Sequence, residues 1–314
     1  MRALKPGRLR EGELIGFVSP ASAPLSSESV EKAVRYVEGM GYRVKLGSNV
    51  GKSDGYLAGT DEERASDVNA MFADPEVRAI FAIRGGYGTP RILPLIDYES
   101  VKANPKIFAG FSDITALQLA LLQKTRLVTF SSPMPAVEFA NGTPDPFTSE
   151  HFWRLITTPE PVGFLANPPE EKVLVQKFGH AAGLLLAGNL SLIVSLLGTP
   201  YWPKFSRSIL LIEEVDEYPH KIDRMLMQLQ NCGILKNIGG LLIGKFTHCE
   251  PKDPTRAHLT TETVLDRAAQ AINGPVFHNL QYGHVPRRLT MPIGLRVRMD
   301  GAHGSVEIIE AAVL

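Results

Sequence analysis

The stretch Gly110-Phe111-Ser112-Asp113-Ile114-Thr115 joins a predicted strand to a predicted helix. The apolar run Lys106-Ile107-Phe108-Ala109 precedes it, and a strong helical pattern at 116–122 follows. Such a turn lifts the serine hydroxyl out of the strand end and points helix N–H groups into the same space. Those amides could hold the oxyanion that an attacking hydroxyl creates. Ser112 is therefore a candidate nucleophile, although the stretch lacks the second glycine of the G-x-S-x-G elbow.

Ser112 also fits a purely structural role at this position. Serine is a favoured helix N-cap, and its oxygen would then accept a backbone N–H near Ile114 or Thr115. Because short motifs often mislead, the choice depends on the partners that Ser112 finds elsewhere in the chain.

The composition is that of an ordinary globular protein. Of the 314 residues, 44% are apolar and 21% are charged, which allows two domains or one large one with a sizeable core. Lys plus Arg number 33, as do Asp plus Glu, and no basic run appears. Neither nucleic acid nor an anionic membrane surface is therefore predicted as a partner.

Cysteine usage fits a reducing compartment, and the apolar pattern predicts neither a membrane span nor a signal segment. Cys232 and Cys249 do not make a disulfide framework and fit small buried side chains. His248-Cys249-Glu250 lacks a second ligand pair at metal spacing, so no metal site is predicted. No apolar stretch approaches the ~20 residues that span a membrane, and the run at 14–18 is too short for a signal segment. We expect a cytoplasmic protein.

The first half of the chain alternates between strand and helix patterns. Helices are predicted at 26–40, 61–72 and 90–95, and the second is expected to carry Arg64, Asp67 and Asn69 on its solvent side. Strands are predicted at 14–18, 42–46, 79–83 and 107–111. This alternation predicts an α/β fold with a mostly parallel sheet flanked by helices.

A proline-rich segment separates this half from the rest. Six prolines lie between residues 141 and 171. We predict an N-terminal domain at 1–150, a linker at 151–171 with one short helix around 150–156, and a C-terminal domain at 172–314. Further strands are predicted at 173–175, 209–212, 240–246 and 275–277, helices at 189–197, 222–232 and 258–271, and a terminal hairpin at 295–299 and 305–309.

A glycine turn, Arg84-Gly85-Gly86-Tyr87-Gly88, follows the predicted strand 79–83. Glycines at a strand end let the backbone approach a ligand and present N–H groups to it. The turn lacks the G-x-G-x-x-G spacing and the Lys-Ser/Thr of a P-loop. A phosphate cradle, an oxyanion site beside Ser112 and a tight turn with no ligand are three open interpretations.

Two further reactive groups lie in the second half. Glu213 and Glu214 close the apolar strand 209–212 and project to opposite faces, so only one of them can face a given site. His284 lies in a loop with glycine and proline neighbours. Ser112, an acid near 213 and His284 together make a hydrolase set, in which the histidine takes the serine proton and the acid orients the imidazole.

At these residues the sequence resembles the LD-carboxypeptidase family of serine peptidases, which includes cytoplasmic murein tetrapeptide carboxypeptidases and microcin-immunity peptidases. The matching stretches run in family order over nearly the whole chain. They are Ser19-Pro20-Ala21-Ser22, Arg84-Gly85-Gly86-Tyr87-Gly88, Gly110-Phe111-Ser112-Asp113-Ile114-Thr115, Thr129-Phe130-Ser131-Ser132-Pro133-Met134, Gly188-Asn189-Leu190-Ser191, Gly198-Thr199-Pro200, Leu211-Ile212-Glu213-Glu214-Val215, Ile222-Asp223-Arg224-Met225-Leu226 and Gly283-His284.

The resemblance implies both a fold and a catalytic triad. The fold is an N-terminal α/β domain and a smaller, strand-rich C-terminal α/β domain, with the active site at their junction. The implied triad is Ser112, Glu213 and His284, with Glu214 as the alternative acid.

The resemblance also implies how substrate is held and what reaction occurs. The implied oxyanion donors are the backbone amides of Gly86 and Asp113, while Gly85 and Arg84 belong to the same substrate-binding turn. Arg84 is a candidate partner for a terminal carboxylate. The murein enzymes release D-alanine from a tetrapeptide and need no metal or organic cofactor. The implied partners are a small murein peptide and a second copy of the chain, in cell-wall recycling.

Two alternatives accompany this interpretation. A microcin-immunity type peptidase would cleave peptide- or aminoacyl-nucleotide conjugates; such relatives tend to carry extra active-site loop material, and the compact stretch 180–188 favours the murein enzyme. A non-catalytic nucleotide or sugar binder would use Gly85 and Gly86. It predicts that Ser112 only caps its helix and that His284 lies far away.

Overall fold

The computed structural model describes residues 3–140, 144–253, 255 and 257–314, which form two sheets with helices packed around them. The strands are β1 (Leu14–Val18), β2 (Arg43–Leu46), β3 (Val77–Ala82), β4 (Ile107–Gly110), β5 (Thr129–Ser131), β6 (Pro161–Phe164), β7 (Leu174–Lys177), β8 (His180–Asn189), β9 (Ile209–Val215), β10 (Gly240–Thr247), β11 (Val276–His278), β12 (Met291–Ile293), β13 (Arg296–Asp300) and β14 (Ser305–Ala311). The helices are α1 (Ser27–Gly39), α2 (Asp61–Ala73), α3 (Thr89–Ile92), α4 (Tyr98–Ala103), α5 (Thr115–Thr125), α6 (Pro146–Thr157), α7 (Leu190–Ser195), α8 (Pro219–Asn231), α9 (Ile234–Asn237) and α10 (Thr261–Gln270). Short 3-10 turns lie at Leu93–Leu95 and Ser112–Ile114, and a π-helical turn lies at Pro135–Phe139.

The first sheet has the strand order β12-β5-β4-β3-β1-β2. Its pairs are parallel except for β12, which runs antiparallel to β5. Strands β1 and β4 are buried over their whole length, as expected of a parallel sheet that is covered on both faces. The carboxyl ends of these parallel strands meet at one edge, and Ser112 follows β4 at that edge.

The second sheet has the order β6-β14-β13-β8-β9-β10-β11-β7. Its centre, β8 to β11, is parallel, and antiparallel strands flank it on both sides. The predicted terminal hairpin is present as β13 and β14. Together the two sheets confirm the predicted fold class, an α/β N-terminal part with a parallel sheet followed by a strand-rich α/β part.

Three segments differ from the sequence prediction or were not predicted. The predicted linker 151–171 contains the larger part of α6 and the edge strand β6. Strand β12 comes from near the end of the chain but pairs with β5, which completes the first sheet. The domain boundaries at 150 and 172 stay a prediction. The stretch 180–188, which was predicted to be compact, forms most of β8.

The assignment of Arg64 and Asp67 to the solvent side of α2 is wrong. Both are buried, and each has hydrogen-bond partners on a neighbouring loop. Arg64 Nη1 donates to the carbonyls of Pro20 (2.6 Å) and Gly88 (3.0 Å), and Asp67 accepts from the backbone N–H of Asn49 (2.9 Å). Loops therefore cover the face of α2 that carries Arg64 and Asp67, which was predicted to face solvent.

Within the described ranges, no helix is long and apolar enough to cross a membrane.

Candidate active site

Ser112 lies where β4 ends and the 3-10 turn into α5 begins. Its φ is +63°, in the left-handed region, which costs a residue other than glycine on the order of 1–3 kcal/mol. Phe111 occupies the N-cap position of the turn, and no side chain caps it. The Oγ of Ser112 instead lies 3.0 Å from His284 Nε2, so the N-cap interpretation does not describe this serine.

His284 connects Ser112 to a buried carboxylate. Its Nδ1 lies 2.7 Å from Glu213 Oε2, and Glu213 is fully buried. An acid that accepts the Nδ1–H leaves the lone pair on Nε2, where it can take the serine proton. The structure thus brings together the three side chains that the sequence singled out, in the arrangement that nucleophilic catalysis requires. The 3.0 Å contact contradicts the non-catalytic binder, which required a distant histidine.

Glu214 faces the other side of the sheet and makes a separate network. Its Oε1 accepts from Asn189 Nδ2 (2.6 Å), and its Oε2 accepts from the N–H (2.9 Å) and Oγ (2.6 Å) of Ser191. Burial raises the pKa of the Glu214 carboxyl, while the hydrogen bond from Ser191 acts in the opposite direction. Glu214 therefore fixes the start of α7 and does not contact His284.

The ring of Phe111 supports the histidine from the side of the serine strand. Its centroid lies 4.8 Å from that of His284 and 5.7 Å from that of Tyr282, which meets it edge to face. On the same ring lies the buried guanidinium of Arg288, with Cζ 4.3 Å from the centroid. Arg288 Nη2 in turn donates to Glu138 Oε1 at 2.5 Å. Residues from both halves of the chain thus pack around one aromatic ring beside the site.

The loop that carries His284 is tied to β10. Thr247 Oγ1 donates to the His284 carbonyl at 3.2 Å. Gly283 has a φ of +147°, and a Cβ there would lie 3.0 Å from Lys245. Glycine is required at this position because the backbone both adopts an unusual conformation and approaches its neighbour closely.

The predicted glycine turn lies directly against Ser112. A Cβ on Gly85 would lie 2.9 Å from Ser112 Cβ, and one on Gly86, whose φ is +109°, would lie 2.3 Å from Ser22 Oγ. No backbone hydrogen bond of the described residues uses the Gly86 N–H. Ser22 holds the turn, because its Oγ accepts the N–H of Tyr87 at 3.1 Å. The turn thus leaves a free amide near the serine.

The Asp113 side chain has a structural role. Its Oδ2 accepts the N–H of Thr89 at 2.8 Å, and Thr89 Oγ1 donates to the Asp113 carbonyl. Burial raises the pKa of this carboxyl, and the hydrogen bonds from Thr89 oppose that rise. The Asp113 N–H belongs to the first turn of a helix, where N–H groups have no intrahelical acceptor.

Arg84 is half-buried at the start of the glycine turn. Its Nη1 donates to the carbonyl of Ala23 at 2.9 Å. A guanidinium has five N–H donors, so this bond leaves capacity for a carboxylate. The structure thus locates Arg84 next to Gly85 and ties it to the loop that contains Ser22.

The motif His248-Cys249-Glu250 lies at the end of β10. His248 Nδ1 lies 3.4 Å from Asp216 Oδ1, and Cys249 is buried. Burial raises the pKa of the Cys249 thiol to about 12, so it stays protonated at neutral pH. In the part of the chain that the structure describes, no three His, Cys, Asp or Glu side chains gather as a metal site would need.

Comparison with known proteins agrees with this geometry. A model of the LD-carboxypeptidase N-terminal domain matches residues 15–132, and a model of the LD-carboxypeptidase C-terminal domain matches residues 182–299. The chain belongs to the LD-carboxypeptidase family. It is accordingly a hydrolase of the serine-type LD-carboxypeptidase class.

Among similar proteins, some are named murein carboxypeptidases and others microcin self-immunity proteins. A probable murein peptide carboxypeptidase of Bacillus subtilis is 37% identical over 309 residues, which is 98% of this chain and 95% of that one. The crystal structure of a muramoyltetrapeptide carboxypeptidase from Oxalobacter formigenes has a TM-score of 0.81 at 28% identity, covering 94% and 97% of the two chains. The microcin C7 self-immunity protein MccF in complex with aspartyl sulfamoyl adenosine has a TM-score of 0.90 at 25% identity, covering 99% and 100%.

Several polar residues around the site were not predicted from the sequence to belong to it. Ser22, Thr89, Glu138 and Arg288 are polar residues whose partners lie far away in sequence. Ser22 falls in a stretch that the family resemblance had already marked, which was the one available signal. The others lie outside the quoted motifs, and no local pattern predicts their partners.

Proposed function

We propose that this protein is a carboxypeptidase that cleaves the L,D-peptide bond of murein tetrapeptides and releases the terminal D-alanine. The observation that carries the proposal is the hydrogen-bonded chain from Ser112 Oγ through His284 to Glu213, with distances of 3.0 and 2.7 Å. The murein names of the Bacillus subtilis and Oxalobacter formigenes relatives support the choice of substrate. The proposed substrates include the tetrapeptide attached to its muramoyl group.

In the first half of the proposed reaction, Ser112 Oγ attacks the carbonyl carbon of the residue before D-alanine. His284 Nε2 accepts the hydroxyl proton as the C–O bond forms, a role worth roughly 10²–10⁴-fold in rate. The Glu213 carboxylate, buried and bonded to Nδ1–H, stabilises the imidazolium. The imidazolium then gives its proton to the amine of D-alanine as the C–N bond breaks, which leaves an acyl group on Ser112.

The tetrahedral oxyanion needs donors at the moment it forms. We assign this role to the backbone N–H groups of Gly86 and Asp113, each worth about 3 kcal/mol if it is aimed at the oxyanion. Arg84, with donors left over from its bond to Ala23, would bind the carboxylate of the leaving D-alanine.

Water completes the proposed cycle. His284 Nε2 takes a proton from a water molecule, whose oxygen attacks the acyl carbonyl. The C–O bond to Ser112 then breaks, and the serine oxygen recovers its proton from the imidazolium. The products are D-alanine and the peptide shortened by one residue.

Mass spectrometry of a murein tetrapeptide incubated with enzyme tests this proposal. Wild type should remove one alanine, and Ser112→Ala should leave the peptide intact. A folded wild type that leaves the tetrapeptide intact would overturn the proposed substrate.

The second candidate function is that of a microcin-immunity peptidase, which acts on peptide- or aminoacyl-nucleotide conjugates. It is favoured by the TM-score of 0.90 with MccF, whose complex contains aspartyl sulfamoyl adenosine. Incubation with an aminoacyl sulfamoyl adenosine separates the candidates, because only this second function predicts release of the amino acid.

We also propose that the enzyme works in the cytoplasm as a homodimer. Two free cysteines, Cys232 exposed and Cys249 buried, suit a reducing compartment. Light scattering coupled to size exclusion tests the dimer, which should have twice the chain mass of 34.3 kDa.

A further inference from the structure

Two large aromatic side chains stand exposed beside the glycine turn. Tyr56 and Tyr87 are 67% and 53% exposed, and their rings meet edge to face with centroids 5.2 Å apart. Aromatic side chains bury large apolar areas in folded proteins, so an exposed pair indicates a surface that binds something. The two rings form a corner with apolar faces and hydroxyl tips.

Hydrogen bonds connect Tyr56 and Tyr87, here called the tyrosine corner, to the glycine turn beside Ser112. Ser22 Oγ donates to the Tyr56 carbonyl at 2.7 Å and accepts the Tyr87 N–H at 3.1 Å, so one hydroxyl joins the two loops. Gly85, two residues before Tyr87, lies against Ser112. The Tyr87 Cα is therefore within about 12 Å of the Ser112 side chain, since consecutive Cα atoms are about 3.8 Å apart.

This upper bound is comparable to the reach of the proposed substrate. When the scissile bond of a tetrapeptide lies at Ser112, three residues extend away from it on the acyl side. They span at most about 10–11 Å when fully extended. When the peptide extends towards the tyrosine corner, the group attached to its amino end can therefore reach Tyr87.

We propose that Tyr56 and Tyr87 bind the sugar ring of a muramoyl tetrapeptide, an inference that rests on the proposed function. A pyranose ring presents C–H groups on its faces, which pack on an aromatic ring, and hydroxyl groups at its rim, which need polar partners. Arg91, half-exposed and paired with Asp61 at 2.8 Å, lies near both tyrosines. The corner thus offers both the apolar faces and the polar rim that a sugar requires.

Steady-state release of D-alanine from two matched substrates tests this proposal. The substrates are one tetrapeptide, free and carrying its muramoyl group. Replacing both tyrosines with alanine should lower kcat/KM about tenfold on the muramoyl substrate, through KM, and change it less than about twofold on the free peptide. Tyr56→Phe and Tyr87→Phe, which keep the rings, should stay close to wild type on both substrates. Phe178→Ala removes another exposed aromatic, in the turn between β7 and β8, and serves as the matched control.

Three outcomes would overturn the proposal. An equal fall on both substrates would mean that the corner supports the turn or a subunit contact and not the sugar. No fall on either substrate would mean that the corner does not contact substrate. A folded wild type that releases D-alanine from neither substrate would reject the proposed function, and this inference with it. Because that last result needs only wild type, failure of the proposed function can be distinguished from failure of the sugar-binding proposal.

Discussion

Glu213 and Glu214, adjacent at the end of β9, serve different partners on opposite faces of the second sheet. Glu213 accepts from His284 Nδ1 at 2.7 Å, while Glu214 accepts from Asn189 and Ser191. Successive side chains of a strand alternate between faces, so a shift of one residue in this strand would exchange the two carboxylates. The register of β9 against β8, where Asn189 pairs with Glu213, therefore decides which acid reaches the histidine.

Replacing Glu213 with glutamine should abolish most activity without unfolding the protein. The amide cannot stabilise an imidazolium and favours the wrong imidazole tautomer, so we expect kcat to fall about 10³–10⁴-fold with KM little changed. Steady-state D-alanine release measures this effect.

Glu214→Gln is the matched control for that change. It places an amide nitrogen against donors from Asn189 and Ser191, which should lower the free energy of unfolding by roughly 1–3 kcal/mol. Its kcat should fall far less than that of Glu213→Gln. If the two variants lost equal activity, Glu213 would not be the acid of the triad.

Ser112→Ala and His284→Ala should each cost on the order of 10⁶ in kcat, and the double variant should cost little more. The reason is that the two groups act as one unit, so removing either disables both. Single-turnover kinetics of the three variants measure the non-additivity. A loss of only about tenfold in either single variant would be incompatible with a triad of this kind.

The α/β character of the fold could be predicted because it depends on local patterns. Apolar runs such as β1 and β4, bounded by helical periodicities, indicate a parallel sheet without knowledge of tertiary contacts. Strand β12 could not be predicted in the first sheet, because its pairing with β5 joins residues about 160 positions apart. Arg64 was misassigned for the same reason, since its partners at Pro20 and Gly88 lie on distant loops.

The residues of the candidate site also differ in how well sequence patterns predict them. Ser112, Glu213 and His284 stand at strand ends or in a glycine-flanked loop, where sequence patterns draw attention to them. The surrounding residues Ser22 and Arg288 act through contacts that only the fold creates. Sequence therefore predicts the reactive groups better than the residues that hold them.

Gly86→Ala should impair catalysis because the position tolerates no side chain. A Cβ would lie 2.3 Å from Ser22 Oγ, and the φ of +109° is unfavourable for alanine. We expect kcat to fall about 10²–10³-fold, as for a displaced oxyanion donor. Ser22→Gly in the same chain removes the collision but also removes the hydroxyl that accepts the Tyr87 N–H, and it keeps the backbone strain, so activity should recover only in part. Full activity in Gly86→Ala would contradict an oxyanion role for this amide.

Arg288→Met should lower kcat about tenfold at nearly constant KM. The change removes the cation from the face of Phe111, which packs on His284, and leaves Glu138 without its ion partner. Arg288→Lys keeps a cation and should restore part of the activity. Arg298→Met, which breaks the exposed pair with Glu307, is the matched control and should change neither activity nor stability measurably. Equal kinetics for Arg288→Met and wild type would show that Arg288 does not help Phe111 to hold His284 in place.

His151 should make the protein sensitive to mild acid. Its Nδ1 accepts the Thr290 N–H at 3.1 Å, and burial lowers its pKa from 6.5 to about 4. Between those two values the unfolded chain binds a proton that the folded chain excludes, so the stability present above pH 6.5 is lost as the pH falls towards 4. This loss should amount to about 1–3 kcal/mol. His151→Asn keeps an acceptor for Thr290 but does not titrate, so urea unfolding at several pH values should show the two proteins diverging below pH 6.5. Parallel curves down to pH 4.5 would mean that His151 is protonated in the folded protein without cost.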